Sequence, residues 1–262
     1  MASEPITFEE RRTRLRMMAE GLRAAYAQRA GLNWYDPPAG APRPKLRLLL
    51  GELAHLGEPI RRRVRAPLAI APSAEPRVVM LLPGFVANAV KMRTMAVELE
   101  RAGHIVKRWG LGRNLGPSEE NVAALGQRLV EIHERYGQPV YLVGWSLGGV
   151  FAREMAKMHP ECVAKVVTMG SPFSHSPYAN NVWRAYQLVT GHSVDAPPIR
   201  AVLHEKPPVE TVALWSPRDG VIAPQSARGR PGERDRERAL RCTHLGFCDS
   251  PEAILAVLDE LS

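Results

Sequence analysis

The sequence predicts an α/β fold built on a mostly parallel, doubly wound sheet with helices on both faces. From residue 77 onward, short apolar runs alternate with helical patterns, which is typical of a parallel sheet. The first run, Val78–Leu82, is almost continuously apolar, as expected for a strand that is covered on both faces. With 262 residues, of which 45% are hydrophobic, the chain can bury a sizeable core as one such domain with an insertion.

Residues 1–75 precede this alternation, and we predict that they form a helical N-terminal extension. A capping box at Thr7–Glu10 begins a helical stripe that ends at Gly31. Leucines spaced between positions 46 and 56 predict a second amphipathic helix, stopped by Gly57–Pro59. This helix most simply packs on its own domain, and contact with a membrane surface is the alternative because arginines lie nearby.

The formal net charge is +8, and arginine supplies most of the positive charge. The densest basic stretches are Arg61–Arg65 and Arg228–Arg241. An anionic partner would fit this charge, but solvated loops in an arginine-rich composition are the simpler interpretation. No nucleic-acid-binding motif accompanies the charge, so we expect no nucleic acid partner. Peripheral membrane contact through the basic extension stays open as an alternative.

The sequence also indicates a cellular compartment. No apolar run approaches the ~18 residues of a transmembrane helix, and the charged residues among the first twenty are unlike a signal peptide. Three cysteines, Cys162, Cys242 and Cys248, are too few and too scattered for a disulfide framework, and pairing of the last two is left open. We therefore expect a cytoplasmic protein.

Residues 76–262 are predicted to form the α/β domain, with a small cap inserted at about 174–208. The cap prediction rests on a break in the alternation, where one helix candidate around Trp183–Thr190 is followed by a proline-rich run. The other predicted elements are helices at 89–102, 118–136, 149–159 and 250–261 and strands at 104–109, 139–143, 163–169 and 212–215.

The pentapeptide Gly144-Trp145-Ser146-Leu147-Gly148 stands between an apolar strand and a helix, which is the setting of a nucleophile elbow. A serine on so tight a turn is crowded by both elements, and the glycines on either side relieve the crowding. The hydroxyl is then held above the sheet, near the positive end of the following helix. This placement favours a nucleophile over a surface turn.

A serine nucleophile needs a base, which is normally a histidine oriented by a carboxylate. Asp219 follows the strand at 212–215 directly, which favours the acid role over an ordinary Asp-Gly turn. His244 lies before the final helix, and of the eight histidines it alone lies beyond Asp219. Asp195 and Asp249 are weaker candidates for the acid, because one lies in the cap and the other follows the histidine.

Ester chemistry also needs two backbone N–H groups that bind an oxyanion. We predict that Leu147 supplies one and Phe85, after the Pro83–Gly84 turn, supplies the other; an ordinary Pro-Gly turn is the alternative. Trp145 and Phe173 are candidate substrate-binding residues, with packing in the core or cap as the alternative. Metal-ligand motifs are absent from the sequence, so we predict no metal site.

Together these segments resemble an α/β-hydrolase of the bacterial lipase and esterase type, over roughly residues 77–262. The resemblance implies an eight-strand-type sheet, a Ser-His-Asp triad and ester hydrolysis without a cofactor. Two positions depart from the pattern, because this chain has Pro83 and Trp145 where many members carry histidine. The resemblance is carried by Leu82–Phe85, Trp109–Pro117, Gly144–Gly149, Thr168–Phe173, Ser216–Val221 and Thr243–Gly246.

We therefore predict a carboxylic ester hydrolase that forms an acyl-enzyme on Ser146 and acts on a small-molecule or lipid ester. An acyltransferase with the same triad is the first alternative, and a catalytically silent hydrolase-fold binding protein is the second. The sequence leaves open the acyl chain length, the alcohol part of the substrate and the oligomeric state.

Overall fold

A six-stranded parallel sheet forms the centre of the computed structural model, which describes residues 8–34, 36–38, 40–199 and 201–262. The order across the sheet is β2-β1-β3-β4-β5-β6, and every neighbouring pair is parallel. The chain reverses its winding direction between β1 and β3, the point where ligands bind in such sheets. In chain order the strands are β1 (Val78–Leu82), β2 (Ile105–Arg108), β3 (Val140–Trp145), β4 (Val163–Met169), β5 (Glu210–Trp215) and β6 (Arg236–Ala239).

Helices cover both faces of this sheet. The α-helices are α1 (Phe8–Gly31), α2 (Leu46–Gly51), α3 (Glu58–Val64), α4 (Arg93–Arg101), α5 (Glu119–Tyr136), α6 (Leu147–Met158), α7 (Trp183–Thr190), α8 (Pro224–Arg228) and α9 (Pro251–Leu261). Short 3₁₀ helices lie at Glu52–Gly57, Ala89–Met92, Pro160–Cys162 and Leu245–Cys248.

The side chains of β1 alternate between two hydrophobic cores. Val79 and Leu81 pack with apolar residues of α4 and α9, whereas Val78, Met80 and Leu82 pack with those of α5 and α6. Each face of the sheet therefore has its own core, which confirms the predicted doubly wound α/β fold.

The sheet differs from the sequence expectation in two respects. Within the described ranges it has six strands and not the eight that the resemblance implied. The additional strand β6 lies inside Arg228–Arg241, which we expected to be solvated loop. It is stabilised at the sheet edge by ion pairs, in which Arg236 contacts Glu210 and Glu260 at 2.6 Å each. Charged residues thus replace the apolar alternation by which strands are recognised.

The extension also differs from its prediction. The first helix ends at Gly31 as predicted, but Thr7 lies outside the described residues, so its capping box stays a prediction. The second helix was wrongly expected to stop at Gly57–Pro59, because a 3₁₀ turn leads directly into α3. Pro59 is the second residue of α3. A backbone N–H in the first turn has no partner within the helix, so a proline there costs no hydrogen bond.

The cap segment contains α7, which coincides with the helix predicted at Trp183–Thr190. Its buried Gln187 donates a hydrogen bond to the Leu32 carbonyl at 2.9 Å, which joins the cap to the end of α1. None of the helices in the described ranges is both long and apolar enough to cross a membrane.

Candidate active site

Ser146 stands at the sharp turn between β3 and α6. Its backbone adopts φ 54° and ψ −123°, a strained conformation that is typical of a nucleophile elbow. A Cβ on Gly144 would lie 2.4 Å from the Gly148 carbonyl oxygen, and one on Gly148 would lie 2.1 Å from the Leu82 carbonyl oxygen. Only glycine fits at both positions, which is the crowding inferred from the pentapeptide.

Asp219 and His244 form a buried pair. The imidazole Nδ1 lies 2.8 Å from Asp219 Oδ2, and the two side chains are 1% and 4% exposed. The other carboxylate oxygen accepts the N–H groups of Val221 and Ile222 at 2.8 and 2.7 Å. An ionised carboxylate only accepts hydrogen bonds, so Nδ1 carries the proton and Nε2 is left with a free lone pair. This arrangement can supply a general base.

The glycine directly after β4, Gly170, makes room for the Asp219–His244 pair. Gly170 has φ +56°, and a Cβ there would lie 3.0 Å from Asp219 Oδ2 and 2.9 Å from the Phe247 ring. Any larger residue would therefore press on the carboxylate.

Trp145 holds the loop that carries His244. Its indole N–H donates to the His244 carbonyl oxygen at 3.0 Å, and the two rings lie 5.4 Å apart. We expected Trp145 to line a substrate pocket, but it is buried and does not line the cavity that contains Ser146.

Within the described residues, Ser146 Oγ makes no hydrogen bond to the His244 imidazole. In serine hydrolases this contact often tightens only when substrate is bound.

Phe173 also lies away from the cavity. It is 1% exposed, and its ring centroid lies 4.1 Å from the guanidinium carbon of the buried Arg153. Burial lowers the pKa of Arg153 to about 10, which leaves the group charged at neutral pH. Phe173 therefore packs against a buried cation and is not among the residues that line the cavity, which favours the packing alternative.

The two predicted oxyanion donors lie beside the serine. Phe85 and Leu147 line the same cavity as Ser146, and a Cβ on Gly84 would lie 3.0 Å from Ser146 Cβ. Within the described part of the chain, neither the Phe85 N–H nor the Leu147 N–H donates a hydrogen bond, so both are available to a ligand.

The turn that presents Phe85 is held by Asn114. This residue is fully buried, its side-chain amide donates to the Pro83 carbonyl at 2.8 Å, and its own carbonyl accepts the Val86 N–H at 2.7 Å. Sequence reasoning placed Asn114 in the matching segment Trp109–Pro117 but gave it no role.

An apolar cavity of about 260 Å³ opens at Ser146. Helix α6 forms one wall, and the lining residues extend from Ser146 to Met158, a distance of about 18 Å along the helix axis. The opposite wall comes from the cap. The cavity is lined by Phe85, Ser146, Leu147, Val150, Phe151, Glu154, Met158 and, from the cap, Pro177, Asn180, Val182, Trp183, Tyr186, Val194, Pro197, Ile199, Ala201 and Leu203, among others.

Comparison with known proteins identifies the architecture. A family model described as the alpha/beta hydrolase fold matches residues 77–190. The chain has the α/β-hydrolase fold. A solved lipase, BlEst2 of Bacillus licheniformis in its mature form, superposes on 75% of this chain and 96% of its own, with a TM-score of 0.55 and 17% identity. A structure of the metagenome-derived lipolytic enzymes LipS and LipT superposes on 73% of this chain and 98% of its own, with a TM-score of 0.50 and 17% identity.

Curated relatives match a shorter part of this chain. The pimeloyl-[acyl-carrier protein] methyl ester esterase of Klebsiella pneumoniae (strain 342) is 43% identical over 68 residues, which are 26% of this chain and 25% of that protein. Its counterpart in Edwardsiella ictaluri (strain 93-146) is 34% identical over 98 residues, 36% of each chain. The matches thus span about a quarter to a third of the relatives' length.

The N-terminal extension contributes a residue to the site that sequence reasoning missed. Glu52 is 6% exposed, and its Oε1 accepts the N–H groups of Gly220 at 3.0 Å and His244 at 2.7 Å. Its Oε2 accepts the Leu245 N–H at 2.9 Å. No local pattern marks such a residue, because its partners lie more than 160 positions away in the sequence.

The three cysteines of this chain are all free. Cys242 and Cys248 are buried thiols and do not pair. Burial raises the pKa of both, which disfavours the reactive thiolate. Among the described residues, no group of three or more His, Cys, Asp or Glu side chains could hold a metal ion.

Proposed function

We propose that this protein hydrolyses carboxylic esters with an apolar acyl or alcohol part, using Ser146 as nucleophile, His244 as base and Asp219 as the orienting acid. One observation carries the proposal: the buried Asp219–His244 pair, 2.8 Å apart, occurs with a strained elbow serine at the mouth of an apolar cavity. A silent binding protein has no need of that combination.

The reaction follows from this geometry. Ser146 Oγ attacks the ester carbonyl while His244 Nε2 takes its proton, and the Phe85 and Leu147 N–H groups bind the oxyanion. The imidazolium then returns the proton to the departing alcohol, which leaves an acyl group on Ser146. Water, activated by the same histidine, releases the acid. An alcohol in place of water would give acyl transfer, the alternative activity.

The cavity supports an apolar substrate. Most of its lining side chains are apolar, and Glu154 disfavours an anionic acyl end. The curated relatives are named for a methyl ester on an acyl-carrier protein, and a carrier-linked ester is the form that their names suggest for this chain.

An acyl chain-length profile tests the proposed substrate class. With p-nitrophenyl esters, we expect kcat/KM to rise about fourfold for each added methylene while the chain still fits along α6, since each buried methylene contributes about 0.8 kcal/mol. Val150→Trp narrows the cavity and should move the optimum to shorter chains, whereas Val97→Trp, on α4 outside the cavity, should not. A protein that hydrolyses acetate best and is indifferent to Val150→Trp would contradict the proposal.

We further propose that the helical segment 43–65 binds an anionic membrane surface. Its two glutamates, Glu52 and Glu58, are buried, so the charges it exposes are basic. Six large apolar side chains in the segment are 61–82% exposed, and apolar residues flanked by cations are typical of interfacial helices. These residues are Leu46, Leu50, Leu53, Leu56, Ile60 and Val64. A cytoplasmic location is part of this proposal and is supported by the three free cysteines.

Vesicle sedimentation tests the lipid surface. We expect binding to phosphatidylglycerol vesicles and little to phosphatidylcholine vesicles. Arg63→Gln should weaken binding about fivefold, since a basic residue near an anionic surface contributes about 1 kcal/mol. Arg135→Gln, at the end of α5, is the matched control and should bind normally. Equal binding to both lipids, or binding to neither, would contradict the proposed anionic membrane surface.

A further inference from the structure

Glu52 joins the acid loop to the histidine loop. Its Oε1 accepts one N–H from each loop, at Gly220 and His244, so a single oxygen atom spans them. The loops approach the site from different parts of the chain, one after β5 and the other before α9. Their relative position decides whether Asp219 can reach His244 Nδ1.

Only a carboxylate can accept all the hydrogen bonds that Glu52 makes. Three N–H donors converge on its two oxygens, and a carboxylate offers only acceptors. A glutamine would turn an NH₂ group toward at least one of these donors and leave it unpaired. Aspartate would keep the charge but is one methylene too short to reach all three.

The backbone of the extension fixes Glu52 in place. A Cβ on Gly220 would lie 2.3 Å from the Leu48 carbonyl oxygen, so α2 packs directly on the acid loop. Asn181 links the same parts, because its amide donates to the Pro44 carbonyl at 3.1 Å and the Gly220 carbonyl at 2.8 Å. The carboxylate is therefore held by a packed segment.

We propose that Glu52 is a positioning residue, which holds the Asp219 and His244 loops in the geometry for proton transfer. The inference rests on the proposed ester hydrolysis. It assigns to the N-terminal extension a part in the chemistry of the α/β domain.

Kinetics of Glu52→Gln test this inference, with Glu58→Gln as the matched control. Glu58 is also a buried glutamate of the extension, but its ion pairs are with Arg61 and Arg65. For Glu52→Gln we expect kcat to fall about 10- to 100-fold, part of what acid–base catalysis contributes. KM should stay within about twofold, because Glu52 does not line the cavity, so the loss falls on kcat. Glu58→Gln should keep the wild-type kcat and KM.

Glu52→Asp is the second variant and decides the case if Glu52→Gln does not fold. It should reduce kcat by less than Glu52→Gln does, because a shorter carboxylate still offers only acceptors to the three N–H groups. Wild-type kcat in either folded Glu52 variant, or an equal loss of kcat in Glu58→Gln, would overturn the inference. A wild-type protein without esterase activity would instead refute the proposed function, so the two failures are distinguishable.

Discussion

Replacement of Ser146 by alanine is expected to lower kcat for ester hydrolysis by about 10⁶-fold, the loss typical of removing a triad nucleophile. The elbow places this hydroxyl at the mouth of the cavity beside the two free N–H groups, and no acyl-enzyme can form without it. Steady-state hydrolysis of a p-nitrophenyl ester within the preferred chain length measures the effect.

Ser226→Ala is the control for this substitution. Ser226 is also a buried serine but does not line the cavity, and within the described residues its hydroxyl has no hydrogen-bond partner. We expect this variant to hydrolyse the ester at the wild-type rate. If purified Ser146→Ala kept more than a small fraction of the wild-type kcat, Ser146 would not be the nucleophile.

Replacement of Asp219 by asparagine is expected to lower kcat by about 10⁴-fold with little effect on folding. The asparagine oxygen can still accept the N–H groups of Val221 and Ile222, so the loop keeps its shape. The amide NH₂ then faces His244 Nδ1 and forces the proton onto Nε2, where it blocks the base. The ester assay measures kcat, and thermal unfolding reports on the fold.

Asp249→Asn is the matched control for Asp219→Asn. Asp249 is an aspartate of the histidine loop that is partly buried, and burial raises its pKa to about 6. A neutral amide of nearly the same shape is therefore tolerated there, and we expect kcat to stay close to wild type. A similar loss of activity in both variants would mean that Asp219 has no special part in catalysis.

The sequence was sufficient to predict strands β1 to β5 and Asp219 as the acid that pairs with His244, for a physical reason. Residues at the carboxyl ends of parallel strands meet at one edge, so the position of Asp219 directly after β5 placed it near the elbow. The pair at 2.8 Å follows from that rule.

Other features leave no local signal in the sequence. The edge strand β6 consists of Arg236-Glu237-Arg238-Ala239, and its ion-pair partners lie at distant positions such as Glu260. An aromatic residue that covers a buried cation, as Phe173 covers Arg153, has the same pattern as one that lines a pocket. Glu52 resembles any helix glutamate until the fold brings its three N–H partners together.

Labelling with a fluorophosphonate probe, followed by peptide mass mapping, tests the assignment of Ser146 most directly. The probe reacts only with a serine that an adjacent base activates, so it requires the whole site and no knowledge of the natural ester. We expect one adduct in the wild-type protein, on the peptide that contains Ser146, and no adduct in Ser146→Ala or His244→Ala. An unlabelled wild-type protein, or an adduct on a different serine, would contradict the proposed serine hydrolase.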